Sequence, residues 1–341
     1  LIKVGILRNS LFFVQIVFAA VSLLLWCICI LNETDDLSTF IGSTNNLLVI
    51  HFVTFVVIHL YANSDSYYRL HDMLTNDLEF QFEDGGVFFD RSDRVRFVAS
   101  VMNASMLISA IFMFLIPMTV TLVTGHADDY PRVFILRLDI LFDLNTVTTR
   151  IILRALGNVL FTYTVLTFRN GLFISMYCTF LCVIGGYKRI HDKLKNLNVS
   201  DVDQTKIDLV KCIEQHNVLI RIYSMAQQLY GMFNFLLLFE GCVVLTLSEF
   251  SALQGNFTST EIVSHIAAGV SIIPVMFLIC YIGTTIHDLN DQIRDAIYNS
   301  EWFTADIQLR KIMIMVMCYS HRPLALKTTF YNEASLTIFT A

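Results

Sequence analysis

Six stretches of the chain are apolar for about the length of a membrane span: Leu11–Leu31, Leu47–Tyr61, Phe97–Val123, Ile151–Gly185, Met232–Leu253 and Ile262–Ile286. A helix needs about 20 apolar residues to cross a bilayer. The second stretch is short, and Asn45 and Asn46 extend it. A seventh begins near Phe330 and stops at Ala341, after roughly half that length. The natural chain is therefore expected to continue past Ala341. It opens on Leu1 rather than Met, so its beginning is expected to be missing too. The order of the segments shows no internal repeat, which weakens a transporter built on inverted repeats.

Between the apolar stretches the pattern changes to helical spacing. Tyr187, Ile190, Leu194 and Leu197 recur every three or four residues, as do Leu209, Ile213, His216, Ile220 and Tyr223. Ile286, Leu289, Ile293 and Ala296 repeat the pattern after the sixth stretch, and Leu309, Ile312, Met313, Val316 and Met317 before the seventh. Four apolar stripes on one side of the membrane predict a packed helical layer. A helix lying on the bilayer surface would carry Lys and Arg along its polar face, and these segments lack that enrichment. The layer can pack within one chain, between subunits, or both.

Composition fixes the class. Of 341 residues, 55% are apolar and 15% charged, and the mean hydropathy is +0.61. Soluble domains carry roughly 25% charged residues, and so little charge cannot cover the surface of one. A net charge of −6 excludes a nucleic-acid binder, and the apolar content excludes a disordered chain. The prediction is an all-α polytopic membrane protein with seven transmembrane helices.

Charge then orients it. With the N-terminus in the cytosol, eighteen of the 23 Lys and Arg fall on the cytosolic side. Arg132, Arg137, Arg150 and Arg154 fall on the outside, and Arg169 lies within the fourth span. The positive-inside rule favours this orientation. Two glycosylation sequons, at Asn32 and Asn256, land in outer loops; a third, at Asn198, lands in the cytosol. A G-protein-coupled receptor would place its N-terminus outside. It would also show an outer cysteine pair and a DRY-like triplet after the third span, and neither occurs here. The eight cysteines lie in apolar runs or cytosolic segments, so no outer disulfide framework is available. No Cys, His, Asp or Glu cluster has the spacing of a metal or catalytic site. No enzyme activity, metal or cofactor is expected.

The stretch Tyr281–Phe303 (YIGTTIHDLNDQIRDAIYNSEWF) ends the sixth span and carries Ala296, Tyr298 and Trp302 in an A-x-Y-x-x-x-W pattern. Arg322-Pro323-Leu324-Ala325-Leu326 follows, then Phe330, Leu336, Thr337 and Phe339. Upstream, Leu209–Cys212 is followed by His216. In this order and spacing, on this topology, the chain resembles the insect odorant receptor family. Topology carries the resemblance along the whole chain, and motifs carry it over residues 187–341.

The resemblance implies a ligand-gated, non-selective cation channel in the plasma membrane of a sensory neuron. An odorant-specific subunit joins coreceptor subunits in a heterotetramer around one pore. Coreceptors carry a long insertion between the fourth and fifth spans. Here Leu194 to Leu209 is short, which resembles the odorant-tuned subunit. A gustatory receptor of the same superfamily is the alternative, and a receptor or transporter of another class a further one. The implied organisation has spans one to four and an outer-half ligand pocket in 1–186, helix extensions in 187–231 and spans five and six in 232–286. Cytosolic anchor helices occupy 287–329, and the start of the pore-lining seventh helix 330–341. The anchor would draw on Ile293, Tyr298, Trp302, Leu309, Met313 and Val316.

A volatile ligand is small and mostly apolar, so its affinity comes from burial, with one or two hydrogen bonds for orientation. The resemblance places the pocket among spans two, three, four and six. Helical spacing then offers His51, Thr54 and Phe55; Ser109, Phe112 and Ile116; Asn158, Phe161 and Val165; and His265, Ala268 and Ile272. Each can equally serve helix packing or face lipid. His51 and His265 stand out because polar groups in spans face protein or cavities. Arg169 in the fourth span and Glu240 in the fifth are buried charges that need partners, and a contact between them is expected. Snorkelling of Arg169 and protonation of Glu240 are the rival readings.

Overall fold

In a computed structural model of the chain, the described residues are 37–77, 96–104, 169–197, 201–253, 259–320, 324–328 and 333–340, with scattered positions between 12 and 24 and at 107, 111 and 119. Almost all are helical. In chain order the helices are α1 (Leu37–Ala62), α2 (Ser64–Asp72), α3 (Gly171–Lys195), α4 (Val202–Leu253), α5 (Ser259–Tyr298), α6 (Ile307–Ser320) and α7 (Leu336–Thr340). A short 3-10 turn, Trp302–Thr304, precedes α6. The β structure among the described residues is one isolated antiparallel bridge, Lys327 to Glu333.

Among the described residues, three helices are long and apolar enough to cross a membrane: α3, most of α4, and α5 from Gly269. α4 is 52 residues and α5 is 40. At 1.5 Å per residue these run about 78 and 60 Å, against a hydrocarbon core of about 30 Å. Each therefore extends well past a bilayer as helix. Nothing in Val202–Leu253 breaks α4, since it holds no proline. The stripe at Leu209–Tyr223 and the fifth apolar stretch are parts of this one helix. α5, although it holds Pro274, also continues as one helix from Ser259 to Tyr298.

The chain divides into two compact units. One comprises 1–62, 98–173 and 236–276, and the other 63–97, 174–235 and 277–341. In the first, α1 turns Ile50, Phe52, Val53, Val56 and Val57 into the core, where Met102, Phe173, Leu237, Val244, Ile272 and Val275 are also buried. α4 and α5 approach closely at two glycines. A Cβ on Gly241 would come 2.5 Å from Met276 Sδ, and one on Gly269 would come 3.4 Å from Ser248.

The second unit buries the amphipathic stripes. Tyr187, Ile190, Leu194, Leu209, Ile286, Ile293, Leu309 and Met313 are each at most 2% exposed. Burial to this degree inside one chain is what a packed layer requires, not a face lying on lipid. Aromatic rings fill the centre, with Phe180 against Tyr223 and Tyr230, and Tyr67 edge-on to Tyr230. Tyr230 also shares a 3.1 Å hydrogen bond with Ser175. At Gly186 the side chain of Leu219 occupies the space a Cβ would take, so α3 and α4 pack in near contact there.

The described residues between α6 and α7, 324–328 and 333–335, belong to the same unit and are tied to it by side chains. Asn290 Nδ2 donates to Ser320 O at the end of α6, 2.9 Å away. Tyr223 Oη donates to Ala325 O at 2.6 Å. The Ala334 amide donates to Leu326 O, and the Leu336 amide, at the start of α7, to Thr284 Oγ1. Buried backbone outside regular structure must find such partners, because an unpaired polar group away from water is costly.

Candidate functional site

The first unit holds the buried charges. Arg169 sits just before α3, and Glu240 faces it from α4, with Nη2 to Oε2 at 3.4 Å. Both side chains are buried, at 6% and 4% exposure. The guanidinium lies over the Phe52 ring, 5.6 Å from its centroid, so α1 supplies an aromatic face to the same cation. Next to it, Asn170 Nδ2 donates to Asn103 Oδ1 at 3.3 Å. Arg169 Nη2 and both Glu240 carboxylate oxygens have no hydrogen-bond partner among the described residues. The pair is thus held by charge and cation–π attraction, with hydrogen-bonding capacity in reserve.

The pocket candidates separate by position. His51 is exposed and donates through Nδ1 to Leu47 O at 2.8 Å, within its own helix. Thr54 and Phe55 are half-buried. Thr54 Oγ1 donates to Ile50 O, and Phe55 stacks on His59. The inward face of α1 is therefore that of Phe52, Val53 and Val56, with His51 off it. α1 is apolar nearly all round, so its sequence carries little information about rotation. Ile272 on α5 is buried, with its Cγ1 3.4 Å from where a Gly241 Cβ would lie. The side chains of His265 and Ala268, and all of Ser109, Phe112, Ile116, Asn158, Phe161 and Val165, lie outside the described residues, as do Asn32 and Asn256.

The anchor candidates split by burial. Ile293, Leu309 and Met313 are spent inside the chain, at 1%, 2% and 0% exposure. Trp302 and Val316 are half-buried, and Tyr298 is 66% exposed. Phe303 and Ile307 are exposed as well. Arg310 Nη2 donates to Phe303 O and Ala305 O, which fixes the turn that presents them. In the same unit His216 is buried between the rings of Tyr187 and Tyr319, and burial pushes its imidazole down to about 4.

Sequence reasoning missed Gln227, Gly231, Gly283 and Thr284, which line the α6–α7 connection. Gln227 lies four residues after Tyr223, one turn along the apolar stripe, and a polar residue there was the available signal.

Long apolar helices, buried intramembrane charges and a packed helical extension define a polytopic, multi-pass helical membrane protein. The family model "7tm Odorant receptor" matches residues 36–341, and the chain belongs to that family. This selects the odorant receptor among the alternatives the sequence left open. The chain is 21% identical over 183 residues to odorant receptor 22c of Drosophila melanogaster, covering 49% of this chain and 44% of that protein. It is 26% identical over 124 residues to odorant receptor 85f of the same fly, covering 35% and 31%. The chain thus spans less than half the length of these curated relatives. The fold is that of the olfactory receptor OR5 of the insect Machilis hrabei, at TM-score 0.78 and 13% identity, covering 96% of this chain and 84% of that one. The same receptor in complex with eugenol gives 0.79 and 14% over the same shares.

Proposed function

We propose that the chain is the odorant-sensing subunit of a ligand-gated, non-selective cation channel in the plasma membrane. The family match across residues 36–341 carries this reading. The chain would assemble with coreceptor subunits as a heterotetramer, its N-terminus in the cytosol. Supporting the tuned-subunit role, α3 ends at Lys195 and α4 begins at Val202, which leaves no room for a long insertion. Residues 1–186 and 232–286 would form the membrane bundle, 187–231 and 287–329 the cytosolic layer, and 330–341 the start of the pore helix.

The ligand class is a small, mostly apolar organic molecule, as eugenol is for the Machilis receptor. A micromolar ligand needs about 8 kcal/mol, within reach of about ten buried heavy atoms. Exposed His51, half-buried Thr54 and Phe55 and buried Ile272 are the described members of the proposed pocket. The ligand drives opening only through its differential affinity for the open state. The exposed side of the second unit, Tyr298 included, would keep the subunits together while the pore helices part.

The test is whole-cell current from the completed chain, with and without an insect coreceptor, under a mixed odorant panel. Odorant-evoked cation current only with the coreceptor is the expected result. Current from the chain alone would replace the heteromeric reading with a self-sufficient channel, and silence in both would remove the channel reading.

A further inference from the structure

The segment between α6 and α7 is held by one face of α4. Tyr223, Gln227 and Gly231 follow at intervals of four, so they line a single stripe. Tyr223 Oη donates to Ala325 O at 2.6 Å. Gln227 meets Lys327 twice. Its Oε1 accepts from the Lys327 amide at 3.2 Å, and its Nε2 donates to Lys327 O. The side-chain amide thus stands where a neighbouring β-strand would stand, satisfying both backbone groups of one residue. Gly231 leaves room for this arrangement, since a Cβ there would lie 3.1 Å from Gln227 Nε2 and 3.5 Å from Lys327 O. On the far arm of the segment, the carbonyl of Ala334 lies directly over Gly283 of α5, too close for any side chain. One residue on, Thr284 caps the α7 amide at Leu336.

We propose that Gln227 is a positioning residue, seconded by Tyr223, whose two-point grip on Lys327 sets the resting position of α7. The inference rests on the reading above that α7 begins the pore helix. Among the described residues, three side chains (Tyr223, Gln227 and Thr284) and two glycines (Gly231 and Gly283) meet this segment, so its place depends in part on those bonds. Loss of the grip lowers the cost of moving α7 away from rest, which favours the open population without a change at the ligand pocket.

The test compares Gln227→Met, which keeps the length and loses both hydrogen bonds, with Tyr223→Phe, which loses only the hydroxyl. Gln228→Met, on the exposed neighbour, is the control. Each full chain is expressed with the coreceptor, and surface amount is measured alongside. Hydrogen exchange of the peptide covering 324–336 is expected to rise about tenfold in Gln227→Met and less in Tyr223→Phe. Basal current should rise, and the half-maximal odorant concentration should fall about threefold to tenfold in the same order. Unchanged exchange in Gln227→Met overturns the grip. Faster exchange with unaltered basal current and half-maximal concentration overturns its role in gating. Silence of the unmutated channel overturns that role together with the channel reading, while the exchange data still decide the grip.

Discussion

Arg169 and Glu240 meet at 3.4 Å in the buried interior of one unit, with the Phe52 ring against the guanidinium. The arrangement makes either residue alone a liability. A buried charge that loses its partner costs about 3–5 kcal/mol, whereas removing both charges together can be neutral. Arg169→Met and Glu240→Gln are each expected to lower the thermal stability of the purified protein sharply. The double variant should recover much of the loss. Strict additivity of the two single effects in a double-mutant cycle would show that the contact contributes nothing.

His216 predicts a stability that falls in mild acid. Its imidazole is neutral in the folded chain, pushed down to about 4 by burial against Tyr187 and Tyr319, while the unfolded value is about 6.5. The contribution is complete above the unfolded value. It is lost as pH falls from about 6.5 toward 4, at up to about 1.4 kcal/mol per pH unit. A melting series across that window should show the slope in the native chain and a flatter one in His216→Gln. Equal slopes would refute the assignment.

Two cysteines in the second unit should differ in reactivity. Cys212 is 3% exposed and its thiol is pushed up to about 11, chiefly by burial, whereas Cys318 on α6 is exposed. A thiolate is the reacting form. At neutral pH a maleimide should label Cys318 in a chain whose other cysteines are replaced by Ser. A matching chain that keeps only Cys212 should label only after denaturation. Comparable rates in native protein would contradict the packing of α4 in this unit.

Glycines 283 and 171 make a paired prediction. A Cβ on Gly283 would collide with backbone, the carbonyl of Ala334, while one on Gly171 meets nothing within 4 Å. Gly283→Ala is expected to cost about 1–3 kcal/mol or more, as overpacking does, and to reduce folded yield. Gly171→Ala should leave yield and melting temperature unchanged. Wild-type stability in Gly283→Ala would mean that the α6–α7 connection does not run over this helix.

Burial divides the proposed anchor residues into two kinds, and variants should separate them. Leu309→Ala removes a side chain 2% exposed and should destabilise the chain itself by about 2–5 kcal/mol. Tyr298→Ser, together with Ile307→Ser at a further exposed residue outside that set, alters side chains each 66% exposed and should leave the melting temperature in place. Under the proposed assembly they reduce co-purification with the coreceptor. Full co-purification of the Tyr298→Ser, Ile307→Ser double variant would take these two residues out of the interface.

The pattern along the sequence was enough to identify a helical membrane protein, because burial in lipid demands long apolar helices and leaves an unmistakable composition. Periodicity also marked Tyr187, Leu194, Leu209, Ile293 and Met313 as inward-facing, since each sits on an amphipathic helix with one wet side. It marked Arg169 and Glu240 as needing partners, because isolated charges in a span are costly. Tertiary structure alone decided the rest. Along α1 both sides are apolar, so spacing left its rotation open; the packed face is that of Phe52 and Val56, with His51 off it. Nor does spacing say whether a stripe meets its own chain or another: Leu309 and Met313 turn out buried within the chain while Tyr298 stays exposed. Gln227 and Lys327 lie 100 positions apart. Their contact follows from where α4 passes the α6–α7 connection, and no local preference of either residue encodes it.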